Sequence, residues 1–240
     1  MSEQKASLDL THVLYDSDSH VSLVLALITL SPILLMASYA VLAVYTRELT
    51  VINMWAGQLL CEAFNWMVKR AIKEERPADS VGTGYGFPSS HSQYMAYFAT
   101  FLVLHLYFRH HFVSTGYYIV DVAWLLLLHL ALIGWAGVVA YSRLYLTYHS
   151  PPQVLWGVTL GIIFGVSWYS ATELIPTRIP DSSIGKFRTY ALDHPISRWF
   201  RLRDGWLVWA DGGVEAHWQA WAKEREKLRI AGGQTKVKRT

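Results

Sequence analysis

The chain has 240 residues, 52% of them hydrophobic and 16% charged, with a formal net charge of +3. That charge is too small for a nucleic-acid surface, and no basic stripe with interleaved aromatics is present. The apolar residues are gathered into long uncharged runs, which argues for membrane spans over a soluble core. The single cysteine, Cys61, excludes an internal disulfide and reads as a small buried residue.

In chain order, residues 1–20 are polar, carry Asp9, Asp16 and Asp18, and lack the basic start and cleavage site of a secretory signal. Val21 to Tyr45 is an uncharged run of 25 residues. It predicts a first span, retained as a signal anchor, with Pro32 placed to kink it. Arg47-Glu48 forms a turn, and Leu49 to Val68 is a second span. Gln58, Glu62, Asn65 and Lys69 fall at spacings of four, three and four and share one helix face. A Glu at that depth is costly and is expected to face the bundle interior. Residues 72–90 form a loop marked by Pro77, Gly82, Gly84, Gly86 and Pro88.

Ser92 to Phe108 and Tyr117 to Tyr141 are the third and fourth spans. Pro151 to Ala171 is the fifth, with Pro151-Pro152 suited to a first helical turn. Gly157, Gly161 and Gly165 recur every four residues and predict close packing against a neighbouring helix. From 172 onward the chain is rich in Arg, Lys and Trp. Glu215 to Ile230 reads as an amphipathic helix, with Trp218, Trp221 and Leu228 available to a membrane surface.

The expected fold is therefore all-α, a polytopic membrane bundle of about five transmembrane helices. It divides into an N-terminal segment 1–20, a membrane domain 21–175 and a tail 176–240. With five spans, one side of the membrane receives 6 Lys and Arg and the other 15, 13 of them from the tail. The positive-inside rule then puts the tail in the cytosol and the N-terminal segment opposite.

Three clusters sit at ends of apolar runs: Lys69 with Arg76-Pro77, Pro88-Ser89-Ser90-His91, and Ser142-Arg143 with His149. Span order puts all three on one membrane face, away from the tail. Arg76 and Arg143 can grip phosphate oxygens through planar forks, and Lys69 adds a point charge. The Pro-Ser-Ser turn leads into a helix whose N–H groups can cradle an anion. Two histidines can divide the work of nucleophile and general acid. The remaining histidines have no such context. Asp79 is a candidate for contact with substrate or with Arg76.

These residues resemble the tripartite motif of the type 2 phosphatidic acid phosphatase (PAP2) superfamily: KxxxxxxRP, PSxH and SRxxxxxHxxxD. The chain reads Lys69 to Pro77, Pro88 to His91, and Ser142-Arg143 to His149. A narrower likeness is to the dolichyl diphosphatases. It rests on Leu14-Tyr15-Asp16-Ser17, Thr46-Arg47-Glu48-Leu49, Gly84 to Gln93 and the length. The resemblance implies hydrolysis of dolichyl diphosphate to dolichyl phosphate at a lumen-facing site of the endoplasmic reticulum, returning a carrier lipid to N-glycosylation. It implies His149 as nucleophile forming a phosphohistidine, and His91 as proton donor to the leaving group. Arg143, Lys69 and Arg76 would hold the phosphoryl oxygens, with Ser90 and Ser89 helping to bind substrate. No metal or other cofactor is implied, and the partners are the polyprenyl lipid and the membrane.

One position departs from the motif: Gln153 stands where the superfamily has Asp. A Gln can orient His149 but carries no full charge. Glu62, on the face of Lys69, is the candidate to supply it. Two alternatives stay open on residues alone. One is a broader phosphatase acting on phosphatidic acid or sphingoid phosphates. The other is a lipid-binding membrane protein silenced by Gln153.

Overall fold

The computed structural model describes residues 5–8, 13–78, 80 and 82–237. An antiparallel hairpin of Lys5–Leu8 (β1) and Val13–Asp16 (β2) precedes the helices, in a segment where no strand was expected. The first span is two helices, His20–Ile28 (α1) and Ser31–Thr46 (α2). Pro32 has no N–H to give to the carbonyl four residues back, so the ladder opens there. The Ser31 hydroxyl takes that place, donating to Ile28 O at 2.5 Å. The predicted kink is thus a break at Thr29-Leu30.

Four long helices follow: Leu49–Ile72 (α3), Ser90–Phe108 (α4), Tyr118–Tyr145 (α5) and Pro151–Tyr169 (α6). The last continues through a π turn, Ser170–Leu174, into Ile175–Arg178 (α7), past the expected domain end at 175. Three stretches are long and apolar enough to cross a membrane: His20–Thr46, Tyr118–Tyr145 and Pro151–Arg178. Helices α3 and α4 have the length as well, about 36 Å and about 28 Å at 1.5 Å per residue. Their polar residues turn inward. Asn65 donates to Gln93 Oε1 at 2.7 Å, and Gln93 donates to the Cys61 carbonyl at 3.1 Å.

Helix α4 is the central element. It packs on α3, α5 and α6 and buries Gln93, Met95, Tyr97 and Phe101. The glycine ridge of α6 lies against it as expected. A Cβ at Gly161 would stand 2.4 Å from the Gln93 carbonyl oxygen, and one at Gly157 2.6 Å from that of Ser89. Only hydrogen at these positions lets the two backbones approach so closely. This contact sets the N-termini of α4 and α6 side by side.

The tail folds as Ser183–Asp193 (α8), Pro195–Phe200 (α9), Gly205–Val208 (α10) and Val214–Val237 (α11). The last contains the predicted amphipathic segment, with Trp218, Trp221 and Leu228 exposed. The tail is also docked on the bundle. Arg109, after α4, pairs with Glu173 of the π turn and with Asp204 at 2.9 Å. Arg188 reaches the same two carboxylates at 3.2 and 2.7 Å. At the start of α3, Glu48 pairs with Arg203 at 2.7 Å and accepts from the Gly205 N–H at 2.8 Å.

Candidate active site

The end of the bundle opposite this ion cluster collects the C-termini of α3 and α5, the N-termini of α4 and α6, and the break between α1 and α2. The close of α5 places His149. Thr147 takes a left-handed conformation (φ 57°), and the N–H groups of Tyr148 and His149 both return to the Arg143 carbonyl, at 3.1 and 3.2 Å. The chain thereby folds back over its last turn, and His149 comes to lie beside Arg143.

Arg143 is buried and held from two directions. Its Nη1 donates to Thr29 Oγ1 at 2.9 Å, and its guanidinium carbon lies 4.0 Å from the Tyr148 ring centroid. Thr29 reaches the site because the helix breaks there. Arg76 arrives from the α3–α4 loop, donating Nε to the Gly84 carbonyl at 3.2 Å and Nη1 to the Tyr148 carbonyl at 2.9 Å. The same Nη1 stands 3.3 Å from His149 Nε2. His91, the second residue of α4, lies within electrostatic reach of Lys69, Arg76, Arg143 and His149. The structure therefore brings together all five charged and histidine positions read from the motif.

Two bonds fix the state of His149. A guanidinium only donates, so Nε2 facing Arg76 is an acceptor. The ring proton is thereby assigned to Nδ1, which faces Gln153 Oε1 at 3.2 Å. Burial, reinforced by the Arg76 and Arg143 charges, pushes the imidazole down to about 3, with the Gln153 bond pulling it up. His149 is neutral at physiological pH, with its Nε2 lone pair turned toward the cations.

Gln153 belongs to a capping box: with Ser150 as N-cap, its side chain accepts the Ser150 N–H at 3.3 Å. Its Nε2 donates to Glu74 Oε1 at 2.8 Å and to the Glu75 carbonyl at 2.8 Å. A Cβ on Gly86 would strike this amide at 2.6 Å from Nε2. Ser89 is fully buried, its hydroxyl 2.9 Å from that of Ser92 and its N–H bonded to the Gln153 carbonyl at 3.0 Å. It braces the α4–α6 junction. Ser90 opens α4 beside His91.

Among the described residues Glu62 makes no hydrogen bond to His149 or Gln153. It sits seven residues before Lys69, about 10 Å deeper at helical rise. There it lines a cavity of ≈ 250 Å³ with Pro32, Ile33, Leu59, His91 and Tyr94. Its Oε1 is buried without a hydrogen-bond partner among the described residues. The carboxylate that reaches Gln153 is that of Glu74. Asp79 lies outside the described residues. Residues 49–175, which hold all three clusters, match the model of the PAP2 superfamily.

The chain belongs to the PAP2 superfamily.

It is 36% identical over 203 aligned positions to Dolichyldiphosphatase 1 of Homo sapiens, covering 83% of this chain and 82% of that protein. It is 35% identical to the Putative dolichyldiphosphatase of Neurospora crassa, over 92% of this chain and 93% of the relative. The Dolichyldiphosphatase of Saccharomyces cerevisiae is 33% identical over 70% of each chain. No solved structure matches significantly. The PAP2 match contains both histidines and all three cations, while Thr29 and the docked tail lie outside it. Thr29, Tyr148 and Glu74 are the site residues that sequence reading missed. Thr29 had one available signal: it lies three residues before the helix-breaking proline.

Proposed function

We propose that this PAP2 protein is a membrane phosphatase hydrolysing dolichyl diphosphate to dolichyl phosphate and phosphate through a phosphohistidine on His149. The observation that carries the reading is His149 Nε2 facing Arg76 at 3.3 Å, with Arg143, Lys69 and a second histidine, His91, close by. The lone pair on Nε2 attacks the terminal phosphorus, and the bond from phosphorus to the bridging oxygen breaks. His91, held as imidazolium when the anionic diphosphate is bound beside it, gives its proton to the departing dolichyl phosphate and becomes neutral. It then takes a proton from water, whose oxygen attacks the phosphohistidine and breaks the P–N bond, releasing phosphate. Arg76, Arg143 and Lys69 stabilise the charge that spreads over the equatorial oxygens, with the N–H groups opening α4 at Ser90 adding to the field.

In-line displacement puts the leaving group opposite His149, on the His91 side. The cavity lined by Pro32, Ile33, Leu59 and Tyr94 lies there and suits the first part of an isoprenoid chain still in the bilayer. The relatives named as dolichyldiphosphatases support this substrate. The Lys and Arg count supports a tail in the cytosol and a site facing the lumen of the endoplasmic reticulum.

The test offers purified protein dolichyl diphosphate, dolichyl phosphate and phosphatidic acid in EDTA, beside a His149→Ala control. Phosphate release mainly from the diphosphate, abolished in the control, is the expected result. Equal release from all three would replace this reading with a broader lipid phosphatase.

A further inference from the structure

With Gln153 in place of the superfamily's Asp, no full negative charge stands next to His149 at that position. We infer that Glu74 supplies the charge through Gln153, in a carboxylate–amide–imidazole chain that makes Glu74 a positioning residue for His149. The inference rests on His149 being the nucleophile.

Both ends of the amide are committed. Its two N–H bonds go to Glu74 Oε1 and the Glu75 carbonyl, each at 2.8 Å. Its oxygen faces His149 Nδ1 at 3.2 Å and the Ser150 N–H at 3.3 Å. Flipping the amide would oppose donors to donors and acceptors to acceptors, so Gln153 has one orientation and His149 one tautomer. A carboxylate on the N–H side of an amide shifts electron density onto its carbonyl oxygen. That oxygen then binds Nδ1–H more strongly as Nε2 bonds phosphorus and the ring becomes positive. The Glu74 backbone is pinned as well, its carbonyl accepting the Gly86 N–H at 2.8 Å. Glu74 is itself exposed, so solvent screens its charge. Its effect is therefore smaller than that of a carboxylate bonded directly to a catalytic imidazole, whose loss costs roughly 10⁴-fold in a serine protease.

Glu74→Gln isolates the charge, because the new carbonyl oxygen still accepts from Gln153. The full-length enzyme in detergent is mixed with dolichyl diphosphate radiolabelled at the terminal phosphate. Acid-labile, base-stable phosphoprotein is then followed by rapid quench. Glu74→Gln is expected to slow labelling roughly tenfold, as a screened charge several ångströms away would, with KM and Tm unchanged. The pair Glu74→Gln with Gln153→Asp is expected to label faster than Glu74→Gln alone, since the new carboxylate meets Nδ1 directly. Gln153→Asp by itself, which sets two carboxylates together, is expected to be slower than the pair. Labelling of Glu74→Gln at the unmutated rate, or a loss that Gln153→Asp does not restore, would overturn the inference. An unmutated enzyme that hydrolyses the substrate without labelling would overturn the phosphohistidine itself, and this inference with it.

Discussion

At the scale of single residues, the two arginines of the site are each held by hydrogen bonds to the surrounding chain. Arg143 depends on Thr29 Oγ1 for this. Thr29→Val keeps the shape and removes the acceptor. A net hydrogen bond is worth about 1 kcal/mol, so kcat is expected to fall roughly fivefold with Tm little changed. Arg76 divides its donors between the Gly84 and Tyr148 carbonyls and His149 Nε2. Lysine cannot reproduce that fork, so Arg76→Lys is expected to lower kcat/KM by roughly 100-fold. Burial, with the Arg76 and Arg143 charges, pushes His149 from its ordinary 6.5 down to about 3 in the fold. As pH falls between these values the unfolded chain binds the proton first, so stability is lost progressively across that window. A His149→Asn variant should show a shallower fall of Tm from pH 6.5 downward, measured in detergent.

Among the elements, α4 and α6 set the distance between the two histidines. The four-residue spacing of Gly157, Gly161 and Gly165 already indicated a close helix contact, because that periodicity repeats on one helix face. It did not indicate the partner. Gly161→Ala drives a methyl toward the Gln93 carbonyl of α4, which as backbone cannot move aside. A cost of about 1–3 kcal/mol is expected, visible as a lower Tm. The site should loosen along with it. Gly86→Ala acts differently, since its methyl meets the flexible end of Gln153. Its effect is expected on kcat with little change of Tm. Helix existence was legible from apolar runs. Helix ends were less so: α5 runs past Tyr141 to take in Arg143, and α6 continues through a π turn whose Glu173 pairs with Arg109 and Arg188.

Over the whole molecule, chemistry and anchorage occupy opposite ends. The basic tail docks through Arg188, Arg203 and Asp204, which pair with Glu173 of the π turn, Glu48 before α3 and Arg109 after α4. Two arginines and two carboxylates neutralise one another in this buried group. Removing one member leaves charge uncompensated, so Asp204→Ala is expected to destabilise the fold by about 3–5 kcal/mol in thermal unfolding. An unchanged Tm would show the tail to be dispensable for the bundle.

The sequence by itself determined an all-α membrane bundle and three polar clusters that gather, with two histidines and three cations, at one end of it. These follow from apolar run length, span order and motif spacing, all of which are local or additive along the chain. The tertiary structure decided which groups stand behind those residues. Thr29 meets Arg143 across 114 positions, and Glu74 meets Gln153 across 79. Helical periodicity carries information over three or four residues, so no pattern in the chain pairs positions so far apart. The packing of α1 on α5, and the α3–α4 loop folding over the start of α6, bring them within hydrogen-bond reach. The same packing sets the Glu74 carboxylate, and not that of Glu62, within hydrogen-bond reach of Gln153.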